Sequence, residues 1–431
     1  MHVALINPPL QRNLGQIGDN PPYPSLSLGY LTSYLKKNDI DTLLVDAVFD
    51  KLSYKEVENK LKSFQPDLIG FTSMTHRIKE TNDFAKKLRS HFPNAQFIIG
   101  GSHATVDSNI LKEFEVFDIA VVGEGEEILL DIIKRKSKGV LHSNIIENLD
   151  LLPFPDFTDI KHIIETYPLL TSRGCPFQCV FCCRILGNKL RTRSPPNILE
   201  EIIQAKQKYH PRTFHFIDDQ ITIPRNRIME LCELLILKNV DIKWQCCSRV
   251  NTVDKQLLMK MKEAGCYRVD FGVESGNDGI LKIIKKGITT KESINAVNIA
   301  KNVGLEVSCY FIIGHPYETV KTIKNTIDLA VKLNPNHVSF GIMCPYPQTE
   351  VYEMAKKGEG NYRLISNNWS DFDKQLGNAL ELTNLSRHEL EKFQIKAYLY
   401  FYLKNYRFID LTKLLFSYKK LAFKMVGRLI K

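Results

Sequence analysis

The fold of this chain is read from one stretch, Arg173-Gly174-Cys175-Pro176-Phe177-Gln178-Cys179-Val180-Phe181-Cys182-Cys183. Within it, Cys175, Cys179 and Cys182 are spaced C-x3-C-x2-C. Three thiolates this close in sequence can surround one corner of a metal cluster without closing a long loop, and an iron–sulfur site usually has four cysteine ligands. Three clustered thiolates without an obvious fourth therefore predict a [4Fe–4S] cluster in which one iron is open.

Zinc binding and disulfide bonding account less well for these cysteines. A structural zinc site usually needs a second cysteine or histidine pair, and no such pair follows Cys182 at a suitable spacing. A disulfide framework is disfavoured because the chain is long and because we expect no secretory leader, since Pro8 and Pro9 break the first apolar run. Cys183 is predicted to be a spare thiol. Six further cysteines, mostly in apolar runs, are predicted to be buried thiols: Cys232, Cys246, Cys247, Cys266, Cys309 and Cys344.

The cysteine spacing resembles the signature of the radical S-adenosylmethionine (SAM) enzymes. The resemblance implies that Cys175, Cys179 and Cys182 hold the cluster, and that its open iron binds the amino and carboxylate groups of SAM. It also implies a six-stranded parallel barrel and an electron donor, such as flavodoxin or ferredoxin.

Composition narrows the class of protein. The 58 basic and 48 acidic residues give a net charge of +10, and the lysines are widely spread, so nucleic acid is not an expected partner. No apolar run approaches the roughly 20 residues of a transmembrane helix. Ten cysteines without an expected leader suit a reducing cytoplasm. The chain is therefore predicted to be cytoplasmic.

The first third alternates short apolar strands with amphipathic helices. Strands are expected at 2–8, 42–47, 68–74, 96–101 and 118–123, and helices at 28–37, 54–64, 81–91 and 109–114. This alternation predicts a doubly wound, Rossmann-like parallel sheet, which binds ligands beyond the carboxyl ends of its strands. The residues expected at those ends are Asn7, Thr72, Ser73, Gly100, Gly101, Ser102, His103, Gly123, Glu124, Gly125 and Glu126.

No G-x-G-x-x-G fingerprint follows the first strand, so a nicotinamide cofactor is not indicated. The order of the loops, with 24–31 opening the first helix, resembles the cobalamin-binding domain joined to many radical SAM enzymes. That resemblance implies that the strand-end residues bind cobalamin. The D-x-H-x-x-G motif is missing, so we predict binding without a lower histidine, although His76 and His103 remain alternatives. A vestigial domain that binds nothing is the other possibility.

Pro153 and Pro155 interrupt the alternation and predict a linker. The expected domains are 1–140 (cobalamin-binding), 141–165 (linker), 166–350 (barrel) and 351–431 (helical region over the barrel). In the barrel, strands are expected at 169–172, 213–218, 244–250, 268–275, 307–314 and 337–344, and helices at 198–209, 227–238, 255–264, 290–302 and 320–333. Function in parallel barrels gathers at the carboxyl ends of the strands.

Residues suited to SAM stand at these strand ends. Arg249 can bind a carboxylate through two donors, and Glu274 can accept from a ribose hydroxyl or from the amino group. Phe181 can pack against adenine, with the backbone up to Gly314 opposite. By resemblance these positions match SAM-binding motifs, and Asp218 matches the acidic turn after the second strand. Alternatively, Arg249 pairs with an internal carboxylate and Glu274 caps a loop.

Cys344, at the end of the sixth expected strand, is a catalytic candidate, and a buried thiol is the alternative. At the C-terminus, 411–431 carries lysines on one helical face beside a broad apolar face, which suits an anionic membrane surface and a lipid-like substrate. The alternative is an apolar face that packs on the barrel.

These observations predict a cobalamin-dependent radical SAM enzyme that functionalises an unactivated carbon, with C-methylation as the expected outcome. Oxidation, cyclisation or rearrangement with the same cofactors is the alternative. A methylthiotransferase is less favoured, because no cysteine precedes Cys175 for a second cluster. A cobalamin or redox sensor would need a partner-binding or DNA-binding module, and none is recognised.

Overall fold

The computed structural model describes residues 1–10, 21–107, 109–135, 137–374 and 377–417. These residues divide into two compact units. The first comprises mainly 1–169 and 184–212, and the second mainly 170–183 and 213–417. The domain limits at 140, 165 and 350 stay a prediction.

The first unit is built on a six-stranded parallel sheet in the order β2-β1-β3-β4-β5-β6. Its strands are β1 (His2–Asn7), β2 (Asp41–Asp46), β3 (Leu68–Thr72), β4 (Gln96–Gly100), β5 (Ile119–Val122) and β6 (Gly139–His142). Its helices are α1 (Leu26–Lys37), α2 (Tyr54–Phe64), α3 (Ile78–Arg89), α4 (Ser102–Val106), α5 (Ile110–Glu113) and α6 (Glu126–Arg135). The predicted doubly wound sheet is confirmed.

The edge strand β6 and the helices α4 and α6 were not predicted. β6 has four residues, none of them buried, so it lacks the apolar run that marks the central strands. The side chain of Leu5, in β1, is by contrast almost completely buried. The edge strand therefore cannot be predicted from the hydrophobic pattern of the sequence.

The second sheet has the order β14-β13-β12-β11-β10-β7. The strands from here on are β7 (Thr166–Leu169), β8 (Ser172–Arg173), β9 (Arg191–Thr192), β10 (Thr213–Phe216), β11 (Trp244–Ser248), β12 (Cys266–Glu274), β13 (Glu306–Ile313) and β14 (His337–Ile342). The helices are α7 (Pro195–Tyr209), α8 (Arg225–Leu237), α9 (Lys255–Glu263), α10 (Asp278–Ile283), α11 (Thr290–Val303) and α12 (Val320–Leu333). β10 to β14 pair in parallel, and the predicted βα alternation is confirmed.

One expected strand, 169–172, is wrong in its limits, because β7 ends at Leu169 and β8 begins at Ser172. The chain leaves the strand at Thr171, whose backbone N–H donates to the Asp218 carboxylate at 3.0 Å. A side-chain acceptor thus takes the donor that a continuing strand would use in its ladder.

The helical C-terminal region is confirmed. It contains α13 (Glu350–Lys357), the antiparallel strands β15 (Tyr362–Leu364) and β16 (Leu380–Leu382), α14 (Arg387–Lys404) and α15 (Phe408–Ser417). Most of the amphipathic helix expected over 411–431 lies outside the described residues. Among the helices that the structure describes, none is long and apolar enough to cross a membrane.

Candidate functional site

The three motif cysteines lie in the loop after β8, and all three are free thiols. Cys179 is buried, Cys175 half-buried and Cys182 exposed. The loop turns back on itself, since the Cys182 N–H donates to the Cys179 carbonyl at 3.2 Å. A hydrogen bond between these two thiols lowers the pKa of Cys179 to about 6 and raises that of Cys182.

This donor set fits an iron–sulfur cluster. Three thiols project from one eight-residue loop, 175–182, and each can bind a different iron atom. Among the described residues, no three His, Cys, Asp or Glu side chains are grouped as ligands of a single metal ion. An iron–sulfur cluster needs no such grouping, because each thiolate binds its own iron and the irons are joined by sulfide.

Arg249 packs against the cysteine loop. Its NH1 lies 3.6 Å from Cys179 Sγ, its guanidinium carbon lies 3.7 Å from the centre of the Phe177 ring, and its NH2 donates to the Lys286 carbonyl. The guanidinium is almost completely buried. A buried cation at this place suits a bound carboxylate, and the assignment of Arg249 to SAM stays a prediction.

Glu274 forms a buried ion pair that the sequence reasoning missed. Its Oε1 lies 2.7 Å from Lys286 Nζ, and both side chains are buried. Space for the pair comes from Gly272, where a Cβ would lie 2.6 Å from Glu274 Oε1 and 2.9 Å from Lys286 Nζ. The two adjacent lysines, Lys285 and Lys286, were the only hint in the sequence of a cation near Glu274. The sequence does not show which of them turns inward. Lys285 pairs at the surface with Glu350.

The segment after α10 forms a second wall of the cysteine loop. The Val180 N–H donates to the Ile284 carbonyl at 3.1 Å, and the Asn251 amide donates to the Gly287 carbonyl at 3.1 Å. Together with the bond from Arg249 to Lys286, these contacts hold the segment 284–287 beside the predicted cluster ligands.

Phe181 is buried, and its ring centre lies 6.2 Å from that of His315. The predicted neighbour Gly314 has a φ of 89° and donates its N–H to Glu318 at 2.6 Å. Burial raises the pKa of Glu318 to about 8 and lowers that of His315 to about 4. The end of β13 therefore lies close to the cysteine loop, as an adenine slot between Phe181 and this backbone requires.

Asp218 supports the start of the cysteine loop. Its carboxylate accepts from Thr171 N–H at 3.0 Å, from Thr171 Oγ1 at 2.8 Å and from the Ser172 hydroxyl. The side chain is buried, so it positions the loop in this structure. Its neighbour Asp219 is exposed.

Cys344 lies in an apolar cluster with Phe372 and Ala379. Burial raises its pKa to about 12, so the thiol is neutral and enclosed. The structure thus favours the buried-thiol alternative over a part in catalysis. Cys183 lies 3.9 Å from the Pro347 carbonyl.

In the first unit, the predicted strand-end loops meet at one edge of the sheet. Ser73 N–H donates to the Gly100 carbonyl at 3.2 Å, and His103 N–H donates to the Ser73 carbonyl at 3.1 Å. Gly101 has a φ of 90°, and a Cβ there would lie 2.6 Å from Thr72 Oγ1. An edge of backbone, hydroxyls and glycine allows a large ligand to approach closely, so it fits cobalamin.

Several other candidates at this edge are occupied within the protein. Asn7 bonds to Asp46 at 2.8 Å. The fully buried His103 lies 3.3 Å from Thr75 Oγ1, and burial lowers its pKa to about 4. Glu124 forms a buried ion pair with Arg191.

The remaining candidates at this edge vary in exposure. Ser73 and Glu126 are buried, Thr72 and Ser102 are half-buried, Gly123 is exposed, and Gly125 packs beside Leu31. The structure therefore brings all the predicted loops to one edge of the sheet, but only some of their side chains are accessible to a ligand there.

The first unit contains a parallel sheet with an edge of small residues. In the second unit, the cysteine loop adjoins the buried residues Arg249, Glu274 and Lys286. Together these features define an iron–sulfur enzyme that uses SAM. Comparison with known proteins agrees. Residues 169–330 match the Radical SAM superfamily, and residues 20–133 match the B12 binding domain.

The chain is 31% identical to an uncharacterized methyltransferase of Pyrococcus horikoshii, over 94% of this chain and 93% of the relative. It is 26% identical to the anaerobic magnesium-protoporphyrin IX monomethyl ester cyclase of Rubrivivax gelatinosus, over 82% of this chain and 70% of that one. The solved structure of the radical SAM methyltransferase TsrM from Kitasatospora setae, with cobalamin and a [4Fe–4S] cluster bound, superposes with a TM-score of 0.71. It covers 92% of this chain and 90% of that chain at 15% identity.

The chain therefore belongs to the radical SAM enzymes that carry a cobalamin-binding domain. Its cofactors are a [4Fe–4S] cluster, SAM and cobalamin. Enzymes of this superfamily need a reductant and a small-molecule substrate.

Proposed function

We propose that this enzyme transfers a methyl group to an unactivated carbon of its substrate. The observation that carries the proposal is the 31% identity to a protein named a methyltransferase, over nearly the whole of both chains. When bound, the cluster supplies the electron that cleaves SAM, and cobalamin supplies the methyl group.

The residues of the second unit have distinct parts in this proposal. Cys175, Cys179 and Cys182 hold the cluster. Arg249 binds the SAM carboxylate, and Glu274, oriented by Lys286, accepts from the amino group or from a ribose hydroxyl. The burial of Arg249, Glu274 and Lys286 excludes water from these three groups. Phe181 and the backbone at Gly314 enclose the adenine, while Asp218 holds the start of the cysteine loop.

In the first unit, the polar edge formed by Thr72, Ser73, Gly100, Gly101 and Ser102 supports cobalamin binding through its backbone and hydroxyl groups. We propose that cobalamin binds without a lower histidine, so that neither His76 nor His103 is a cobalt ligand. His103 is fully buried and lies 3.3 Å from Thr75 Oγ1. The substitutions His76→Ala and His103→Ala should leave the electron paramagnetic resonance spectrum of bound Co(II) cobalamin unchanged. A spectral change in either variant would contradict this.

Anaerobic reconstitution with iron, sulfide, cobalamin, reductant and methyl-deuterated SAM tests the main proposal. In the presence of small molecules extracted from the organism that encodes the chain, we expect 5′-deoxyadenosine together with a product heavier by one labelled methyl group. A filled cluster that yields no 5′-deoxyadenosine would argue against the whole assignment.

A second candidate is cyclisation, oxidation or rearrangement without methyl transfer, favoured by the 26% identity to a cyclase over 82% of this chain. It predicts 5′-deoxyadenosine and a changed product that contains no label. The same experiment therefore separates the two reactions.

We also propose a cytoplasmic location and reduction by a flavodoxin or ferredoxin. We propose further that 411–431 contacts an anionic membrane surface. The described part of this segment supports the contact, because Lys413 and Leu415 are exposed and Phe408 and Ile409 just before it are exposed too. Flotation with phosphatidylglycerol vesicles should require 411–431, and equal flotation after its removal would refute the contact.

A further inference from the structure

The second sheet has two faces of opposite chemistry. Residues paired in register on neighbouring parallel strands project to the same side, and successive residues alternate. One face is apolar, and seven of its side chains are almost completely buried: Trp244, Cys246, Val269, Phe271, Val307, Cys309 and Phe311. The other, which we call the polar face, carries His215, Gln245, Cys247, Arg268, Asp270, Ser308 and Tyr310.

Asp270 is the centre of the polar face. Its carboxylate accepts from Arg268 Nε at 2.6 Å and from Arg268 NH2 at 2.9 Å, and its Oδ2 also accepts from the Tyr310 hydroxyl at 2.7 Å. Asp270 itself is buried. Hydrogen bonds to an ionised carboxylate are short and strong, so they fix the direction of the phenol while the two opposite charges compensate each other.

Tyr310 is exposed although it is tied to a buried carboxylate. Its residue is 37% exposed, and its hydroxyl proton is directed to Asp270. A phenol oxygen that has donated its proton keeps lone pairs and can accept one more hydrogen bond. The exposed ring therefore presents an acceptor of fixed orientation.

Tyr310 also lies next to the proposed SAM residues. It pairs in register with Gly272 on β12, and the space above Gly272 is filled by Glu274 Oε1 and Lys286 Nζ. Tyr310 thus lies on the strand next to β12, which carries Glu274 of the ion pair assigned to SAM. A substrate bound there would lie within the same part of the second unit.

His215 and Cys247 of the polar face are neutral, whereas Glu306, in register with Arg268, pairs at the surface with His337. Burial lowers the pKa of His215, although the charge of Asp270 opposes this shift. Burial, together with the charge of Asp270, raises the pKa of Cys247 to about 12. Ile312, in register with Gly341, adds one aliphatic side chain near the carboxyl end. An acyl chain laid on this face would cover the half-buried Arg268 and the exposed Tyr310 without offering a hydrogen-bond partner in place of water.

We propose that the polar face binds a small polar substrate, which donates a hydroxyl, amine or amide hydrogen to Tyr310 Oη. This rests on the proposed function, because it names the substrate class of that same site. Asp270 and Arg268 act as positioning residues for the phenol.

The test measures how substrate stimulates SAM cleavage. The reconstituted full-length enzyme, with SAM, cobalamin and reductant, receives either the aqueous or the chloroform phase of an extract of the organism that encodes the chain. We expect the aqueous phase to raise 5′-deoxyadenosine formation above the basal rate. In Tyr310→Phe, the ratio of stimulated to basal rate should fall about tenfold, because one bond to the substrate is lost.

Tyr400→Phe is the matched control, since it makes the same chemical change at an exposed site on α14 and should keep the wild-type ratio. Iron and cobalamin content verify that Tyr310→Phe folds. Absence of stimulation by the aqueous phase, stronger stimulation by the chloroform phase, or a wild-type ratio in Tyr310→Phe would each overturn the inference. Methyl transfer is read separately from the deuterium label, so an unlabelled product would refute the proposed methylation without touching the substrate class.

Discussion

The cysteine loop of the second unit and the strand-end loops of the first differ in how their candidate residues are used. In the cysteine loop, one contiguous motif supplies all three thiols, and Arg249, whose NH1 lies 3.6 Å from Cys179 Sγ, is itself assigned to the same site. At the edge of the first sheet, the candidates come from four separate loops, and His103 and Glu124 are already engaged with protein partners.

The contrast teaches that the ligands of a site can be predicted from sequence when one short segment supplies them. When several loops supply them, sequence predicts the location of the site but not which side chains bind. Three thiolates in eight residues can bind a cluster almost whatever surrounds them. For a cofactor held mainly by backbone and hydroxyls, the side chains with the strongest apparent chemistry can serve the fold instead. Four variants test this contrast, and they are given in order of decreasing expected effect.

Cys179→Ala should abolish both iron binding and SAM cleavage, because two thiolates cannot hold the cluster. Iron content, visible absorption and 5′-deoxyadenosine formation measure it. Cys183→Ala, one residue beyond the motif, is the control and should retain all three properties. Full activity in Cys179→Ala would refute the cluster assignment.

Lys286→Met tests the buried pair that supports the site. Removing one partner leaves Glu274 as an uncompensated buried charge, so the free energy of unfolding should fall by about 3 kcal/mol. SAM affinity, measured by equilibrium dialysis, should fall as well. Lys285→Met removes the exposed pair with Glu350 and should cost less than about 1 kcal/mol. Equal losses in the two variants would contradict an inward role for Lys286.

Gly101→Ala tests the edge of the first sheet. Gly101 and Gly139 have φ values of 90° and 88°, but an added Cβ meets Thr72 Oγ1 at 2.6 Å in the first case and nothing within 4 Å in the second. Both variants bear backbone strain, and Gly101→Ala should lose about 1–2 kcal/mol more of unfolding free energy. It should also lower the cobalamin content, which Gly139→Ala should leave unchanged. Equal behaviour would show that this edge does not approach the cofactor closely.

Glu318 gives a pH dependence. Its pKa is about 8 in the folded protein, against an ordinary 4.5, so the folded state retains a proton that the unfolded chain releases between these values. Its contribution to stability is complete below about pH 4.5 and is lost as the pH rises through 8, at about 1.4 kcal/mol per pH unit.

Urea unfolding at about pH 6.5 and pH 7.5 measures this slope. Glu318→Gln cannot release the proton and should show a flatter dependence than the wild type. The same slope in both proteins would assign the effect to another group.

Much of the fold follows from local pattern. Helices α2 and α12 were predicted to the residue, and the central strands to within about two residues, because buried parallel strands and amphipathic helices leave strong periodic signals. The exposed edge strand β6 leaves none. Arg249, Glu274 and Gly314 were placed correctly at strand ends of one sheet, since the βα alternation itself brings those ends to one edge. The cysteine motif instead follows β8, which pairs with β9 in a separate two-stranded sheet.

Sequence alone determined the βα architecture and the kind of enzyme and predicted the three cluster ligands, because these depend on spacing within short segments and on periodic burial. The tertiary structure decided which side chains face inward. It buried Lys286 beside Glu274 and left Lys285 at the surface, and it enclosed Cys344 and His103. It also set Tyr310 against Asp270 across two strands. Such choices depend on contacts between residues from 12 to 40 positions apart, for which a single sequence carries no local signal.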